Sequence, residues 1–440
     1  LITFPYPINS VKTSRPHIIS LLSFLLFLSA FILYGIVTIR HIRQGEIWGP
    51  NDELAHLDYL DRLAYERRFP REGELISDHS HRFHDAVQAI SERGYDGTKQ
   101  TLGPIAWSYE AYQPPVYYFV MALPYRGIMS MNRPPQKKLE LIRLFSFGLH
   151  FLGMLAVLLV FYELKKMFPS QLRCEYGYVL FLFVWLCSVN QRFGVNNDHL
   201  CMLMVNLSLW AAARARRSES LPYASAAAAF SALACLTKLT NVLVPVLIFV
   251  LLVLMMRDST MAGRRRKFLV AFIPFFLFPA WYIYRIIATG NMHPLESDFI
   301  REQFGFLQPG MISYPDFLRL HFSEFFNFNY ISPALRDLFP VACILILAGL
   351  SAFFITLPRT VQRRPYLLIA VVMFAALYAF MFFLNRYKCC VVWYSFRLYS
   401  GYMIFTAFAM TGFLAPEGKY RRSIHVIVLL LLHFPLIYLL

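Results

Sequence analysis

The feature that most constrains this chain is repetition: block after block of about twenty mostly apolar residues, separated by short polar connections. A helix needs roughly 20 such residues to cross the ~30 Å hydrocarbon core of a bilayer. Hydrophobic residues make up 58% of the 440 positions and charged residues only 15%. A soluble chain of this length needs more charge on its surface. The expected fold class is therefore all-α and polytopic in a membrane. Eleven candidate spans fall near 17–39, 140–162, 175–192, 199–213, 222–238, 241–256, 268–287, 338–357, 366–385, 399–415 and 423–440. The first is expected to be an uncleaved anchor, since charged Arg40 and Arg43 follow it without a small-residue cleavage site.

The net charge of +16 suggests nucleic acid only until its distribution is considered. Basic clusters follow alternate spans: Lys165-Lys166, Arg214 with Arg216-Arg217, Arg264 to Lys267, and Arg363-Arg364. With Lys12, Arg15 and the bases after Pro416, these connections hold close to half of the 42 Lys and Arg but few of the 26 acids. An excess of Lys and Arg in short loops marks the cytoplasmic side. The charge orients the protein, and no nucleic-acid partner is expected. Gln113 to Met131 would reverse this order if counted as a span. It is short and broken by Pro114, Pro115 and Pro124, so it is read as a re-entrant or interfacial helix.

One domain, 1–440, then carries two long outer segments, 40–139 and an aromatic-rich stretch at 288–337. Loops of this length are usually functional when ordered. The seven cysteines show no CxxC pairing; most sit in apolar blocks, where a buried small hydrophobe is the ordinary reading, and Cys389-Cys390 falls on the outer face.

Three groups of residues stand out. After Pro50, Asn51-Asp52-Glu53-Leu54-Ala55-His56 reads as a helix start. Leu54, Leu57, Leu60, Leu63 and Ala64 form a stripe that suggests a helix lying on the bilayer surface. Asn51 fits a cap, and Asp52 and Glu53 the positive helix end. Equally, Asp52 fits a general base, with Glu53 as its rival and His56 or Glu53 orienting it. The second group is Tyr109 to Tyr118, with Glu110, Gln113, two prolines and Tyr117; it reads as an interfacial helix start or as a rigid wall of a membrane-level cavity. The third comprises polar residues at outer span ends: Asn196-Asn197-Asp198-His199, Lys238 with Asn241, Arg285, Arg386, Lys388 and Arg397. Charges at membrane depth are functional candidates, with snorkelling as the alternative. His79, His81, His84 and Asp85 are read as a solvated loop rather than a metal site, because His at i,i+2 fixes no coordination geometry. No P-loop, GxGxxG or GxSxG is present. No cofactor is called for, and a divalent metal stays open.

In this order the pieces resemble the GT-C glycosyltransferases that use polyprenyl-phosphate sugars, closest to bacterial aminoarabinose and protein O-mannosyl transferases. The resemblance rests on Asn51 to His56, Tyr109 to Tyr118, Arg143-Leu144-Phe145-Ser146, Asn197-Asp198, Leu236 to Thr240, and Ala280-Trp281-Tyr282 through Gly290-Asn291. It covers about 50–295, and Arg397-Leu398-Tyr399 is a looser echo of a late Arg-Tyr element. What it implies is an inverting transfer, on the non-cytoplasmic face of a bacterial inner membrane, from a polyprenyl-phosphate sugar to a hydroxyl of a glycan, lipid or protein. It carries the base role to Asp52. Lys238, Arg386, Lys388 and Arg397 are then candidates for the donor phosphate, and Glu110, Gln113, Tyr117, Asn197 and Asp198 for the substrate cavity. A transporter or flippase of an anionic amphipathic lipid, or a non-catalytic lipid-binding relative, remains the competing expectation.

Overall fold

A computed structural model describes residues 17–44, 53–71, 74–91, 108–167, 194–257 and 269–289, with isolated positions between 369 and 405. The expected spans at 175–192, 338–357 and 423–440 lie outside the described residues, as do most of 366–385 and 399–415 and the aromatic segment 288–337. The described chain is helical, with no strand. Its α-helices are α1 (His17–Gln44), α2 (Glu53–Asp61), α3 (Asp78–Ser91), α4 (Val116–Met129), α5 (Pro135–Met167), α6 (Asp198–Ser218), α7 (Leu221–Cys235), α8 (Leu243–Arg257) and α9 (Leu277–Thr289).

Three helical stretches among the described residues are long and apolar enough to cross a membrane: Pro135–Met167, Leu239–Met256 and Val270–Ala288. The protein is a helical membrane protein. Pro274 leaves Leu269–Phe276 in a 3-10 turn ahead of α9, as expected where a ring removes a backbone donor. The bundle core joins α5, α6, α7 and α8 through residues such as Val157, Phe161, Val205, Ala211, Ala227, Ile248 and Leu252. At Gly153 α5 lies tight against α6: a Cβ there would lie 3.0 Å from the Leu203 backbone nitrogen. The Gly153 carbonyl accepts from Asn206 Nδ2 at 2.9 Å. Cys201 and Cys235 are buried thiols, in keeping with their reading as small hydrophobes.

At the opposite end of α5 and α6 from the outer segment, buried Glu163 receives Arg214 at 3.2 Å and Arg217 at 2.6 Å. This brings part of the basic clusters of two connections to one end of the bundle.

A second apolar cluster joins the described part of segment 40–139 to the starts of α5 and α6, through Leu57, Tyr59, Leu60, Tyr117, Tyr118, Met121, Tyr125, Ile142 and Leu200. α4 has 14 residues, about 21 Å at 1.5 Å per residue, and is too short to span. It buries Tyr117, Tyr118, Met121 and Tyr125 while leaving Leu123 80% exposed, which suits an apolar contact on its other face.

Two local expectations are corrected. α2 does not lie along a surface on an apolar stripe: all nine of its residues, charged ones included, are buried. α3, α4 and the Tyr109–Tyr112 turn pack around it, so each of its acids needs a partner. His79, His81 and His84 do not belong to a solvated loop but to α3.

Candidate functional site

Residues from five stretches of sequence meet at one end of the bundle, where α5 and α6 begin and α7 ends. Glu53 opens α2 and is clasped by Arg143 of α5, with Nε 2.8 Å from Oε1 and Nη2 2.5 Å from Oε2. The Val195 amide donates to the same Oε1 at 2.8 Å. Gly194 makes room for this, because a Cβ there would come within 3.2 Å of Glu53 Oε1. Both carboxylate oxygens are thus engaged by buried donors. Proton uptake by Glu53 would forfeit that pair, so the geometry favours a positioning role over that of a base. Asp52, its neighbour, lies outside the described residues.

One turn along α2, His56 Nδ1 lies 2.7 Å from the Tyr118 hydroxyl. His56 is therefore tied to α4. Tyr118 stacks on Tyr59, with centroids 3.6 Å apart and planes 2° from parallel. Tyr59 in turn donates to the Gln113 carbonyl at 3.3 Å. Tyr117, on the same turn of α4, is fully buried and shares a 2.8 Å hydrogen bond with Ser146. Ser146 continues to His199 Nδ1 at 2.7 Å.

The Gln113-Pro114-Pro115 corner docks on the end of α7. The Val116 amide donates to the Leu236 carbonyl at 3.1 Å. Asn197 Nδ2 bridges Gln113 Oε1 at 3.0 Å and the Thr237 carbonyl at 3.2 Å. Lys238 Nζ lies 2.7 Å from Asp198 Oδ1, with both side chains buried. Arg285 of α9 donates to the Ala111 carbonyl at 3.2 Å, and Glu110 is buried in the same turn. Tyr402 reaches the Thr240 carbonyl at 2.9 Å, which places a point of the late chain beside Lys238. Arg386, Lys388 and Arg397 lie outside the described residues.

The structure therefore brings Glu53, His56, Glu110, Gln113, Tyr117, Asn197, Asp198 and Lys238 into one buried polar assembly, although Tyr117 and Gln113 serve as internal braces rather than as open walls. The sequence marked His199 only as one of several polar residues at a span end, and Arg143 and Ser146 only as part of a resembling element, without a place in the site for any of them. Arg143 had a signal, a lone cation near the start of a long apolar helix.

A second polar group lies at the far end of α2. Asp58 receives Arg62 Nε at 3.0 Å and the Ser77 amide at 2.8 Å. Arg62 also reaches Glu74 at 2.7 Å. Glu74 is held down at about 2, first by its hydrogen bonds from Arg68. Asp61 receives His79 Nδ1 at 2.7 Å, Ser77 Oγ at 3.2 Å and the Tyr125 hydroxyl at 3.3 Å. Burial nevertheless raises its carboxyl above the usual range, against the pull of His79. Among the described residues, no three His, Cys, Asp or Glu side chains cluster as a metal site would require.

No protein-family model matches the chain, and no curated protein sequence matches it significantly.

Proposed function

We propose that the protein is an inverting glycosyltransferase of the GT-C kind, moving a sugar from a polyprenyl-phosphate donor to an acceptor hydroxyl at the outer face of a bacterial inner membrane. In this reading the chain crosses the membrane eleven times, and segments 40–139 and 288–337 face outward. One observation supports it most: the elements that resemble the GT-C pattern, scattered from Glu53 to Arg285, converge on the buried assembly around Glu53, Asn197 and Lys238. A transporter has no evident need to collect that ordered series at one end of its bundle.

The chemistry follows from the charges. The acceptor oxygen attacks the anomeric carbon from the face opposite the phosphate, and its proton passes to a carboxylate. The bond from that carbon to the phosphate oxygen breaks, and the electron pair leaves with the lipid phosphate. Asp52, immediately before α2, is proposed as the proton acceptor, a role worth about 10²–10⁴-fold. The Glu53–Arg143 pair fixes the start of α2, the helix that follows Asp52 in sequence. Lys238 and Arg285 are the described cations that would meet the leaving phosphate, joined in this proposal by Arg386, Lys388 or Arg397. Lys238 would share its ammonium between Asp198 and the phosphate.

The test is consumption of a radiolabelled polyprenyl-phosphate sugar by the purified chain in bilayer discs, with release of the free lipid phosphate. Movement of the intact lipid across vesicles without cleavage would instead establish a flippase.

A further inference from the structure

Glu163 is buried on α5, and two arginines of α6 close on it. Arg214 Nη1 lies 3.2 Å from Oε1, while Arg217 sets Nε 2.6 Å from Oε2 and Nη2 3.5 Å from Oε1. The carboxylate is 2% exposed and each arginine side chain 31%. The acid is thus an interior anchor for two cations that reach the surface. Tyr223 of α7 backs one of them, its ring centroid 5.5 Å from the Arg214 guanidinium carbon. With one carboxylate between them, the two guanidiniums are held in place and stay net positive.

The surroundings have the anatomy of a membrane interface. Glu163 lies about twenty residues along α5 from Arg143, or about 30 Å at 1.5 Å per residue, the thickness of a bilayer's hydrocarbon core. With the Glu53–Arg143 pair at one interface, Glu163 stands at the other. Leu152, Leu155, Leu159 and Tyr162 are exposed on one face of α5. This apolar face ends at Lys166, one turn from Glu163, whose ammonium sits 3.8 Å over the Tyr162 ring. Trp210 meets Tyr223 edge-on at 5.6 Å and 82°, and rings of these types gather at head-group depth.

Cations in the last turns of α5 and α6 complement the helix dipoles, but that role needs no buried acid. A carboxylate sunk between helices to fix two guanidiniums asks for a ligand with matching geometry. A phosphate diester matches the guanidinium fork, and the adjoining apolar face suits the chains of a molecule that carries one. Free phosphate would use only the cations. A zwitterionic lipid would bring its own cation to a site that is already positive.

We infer that Arg214 and Arg217, fixed by Glu163, form a site for the phosphate of an anionic phospholipid in the leaflet away from segment 40–139, with its chains on the exposed face of α5. This site is separate from the one proposed for transfer, at the other end of α5, and neither depends on the other.

The experiment titrates the full chain, purified in detergent, with phosphatidylglycerol or phosphatidylcholine of the same acyl chains, and counts bound lipid by native mass spectrometry. Phosphatidylglycerol should bind at least about tenfold more tightly, as two fixed cations near a head group allow. The triple variant Glu163→Gln, Arg214→Gln, Arg217→Gln leaves no buried charge unpaired and should lose that preference. Lys137→Gln, at the other end of α5 in an exposed pair with Glu140, removes the same net charge and should keep it. Arg214→Lys with Arg217→Lys preserves the charge balance, so it tests the site even if the triple variant unfolds; it should weaken phosphatidylglycerol at least about threefold, because lysine lacks the planar fork. The inference is overturned by equal binding of the two lipids, by equal loss in Lys137→Gln, or by undiminished binding in the lysine pair or in a folded triple variant. Displacement of phosphatidylglycerol by inorganic phosphate at constant ionic strength would mark a free-phosphate site and overturn it too.

Discussion

Arg143 grips Glu53 with two nitrogens, joining the long helix α5 to the first helix of the outer segment across 90 positions of sequence. Both side chains are buried, and a buried charge that loses its partner is costly.

Glu53→Gln or Arg143→Met should each destabilise the protein by about 3–5 kcal/mol, since each leaves one buried charge uncompensated. The double substitution Glu53→Leu with Arg143→Met should lose less than the sum of the two. A double-mutant cycle on unfolding in detergent measures the coupling.

Gly153→Ala should loosen the α5–α6 contact. Its Cβ would sit 3.0 Å from a backbone nitrogen, which cannot swing aside. Overpacking of this kind costs about 1–3 kcal/mol. Thermal unfolding of the variant checks it, and Gly148→Ala on the same helix, where nothing lies within 4 Å, is the control.

The outer segment should respond to pH in two opposing ways. Glu74 has a lowered carboxyl, at about 2, so its stabilisation is present above its unfolded value of roughly 4.3 and is lost as pH falls toward 2. Asp61 is raised by burial, so its contribution is greatest below about 3.9 and declines as pH rises through its folded value. Hydrogen exchange across 62–80 should show reduced protection in acid. Glu74→Gln should remove that loss, and Asp61→Asn should flatten the decline on the other side.

Lys238 and Asp198 should be altered together. Lys238→Ala alone would leave a buried carboxylate uncompensated, so lost donor binding would be confounded with lost folding. Lys238→Met with Asp198→Asn should fold and bind a polyprenyl-phosphate sugar at least tenfold more weakly, about 1.4 kcal/mol. Equilibrium binding of fluorescent donor reads this, and unchanged affinity would remove Lys238 from the phosphate site.

How much of this was legible in the sequence depended on range. Apolar runs located α5 and α8, because length and composition are local properties. The Gln113-Pro114-Pro115 corner was legible for the same reason, since proline restricts its own backbone and that of the residue before it. α2 was misread because its burial depends on partners far away in sequence: Arg143 for Glu53, Ser77 for Asp58, His79 for Asp61. Without those partners its leucine stripe reads as a helix lying on the bilayer surface. The bond from His56 to Tyr118 spans 62 positions and is invisible to any local pattern.

The central claim is sugar transfer from a polyprenyl-phosphate donor with Asp52 as the base. Its most direct measurement is single-turnover release of lipid phosphate by wild type and by Asp52→Asn, with folding verified by unfolding midpoint. Wild type should release lipid phosphate and the variant should lose about 10²–10⁴-fold; equal rates in a well-folded Asp52→Asn protein, or no release by the wild type, would contradict transfer with Asp52 as the base.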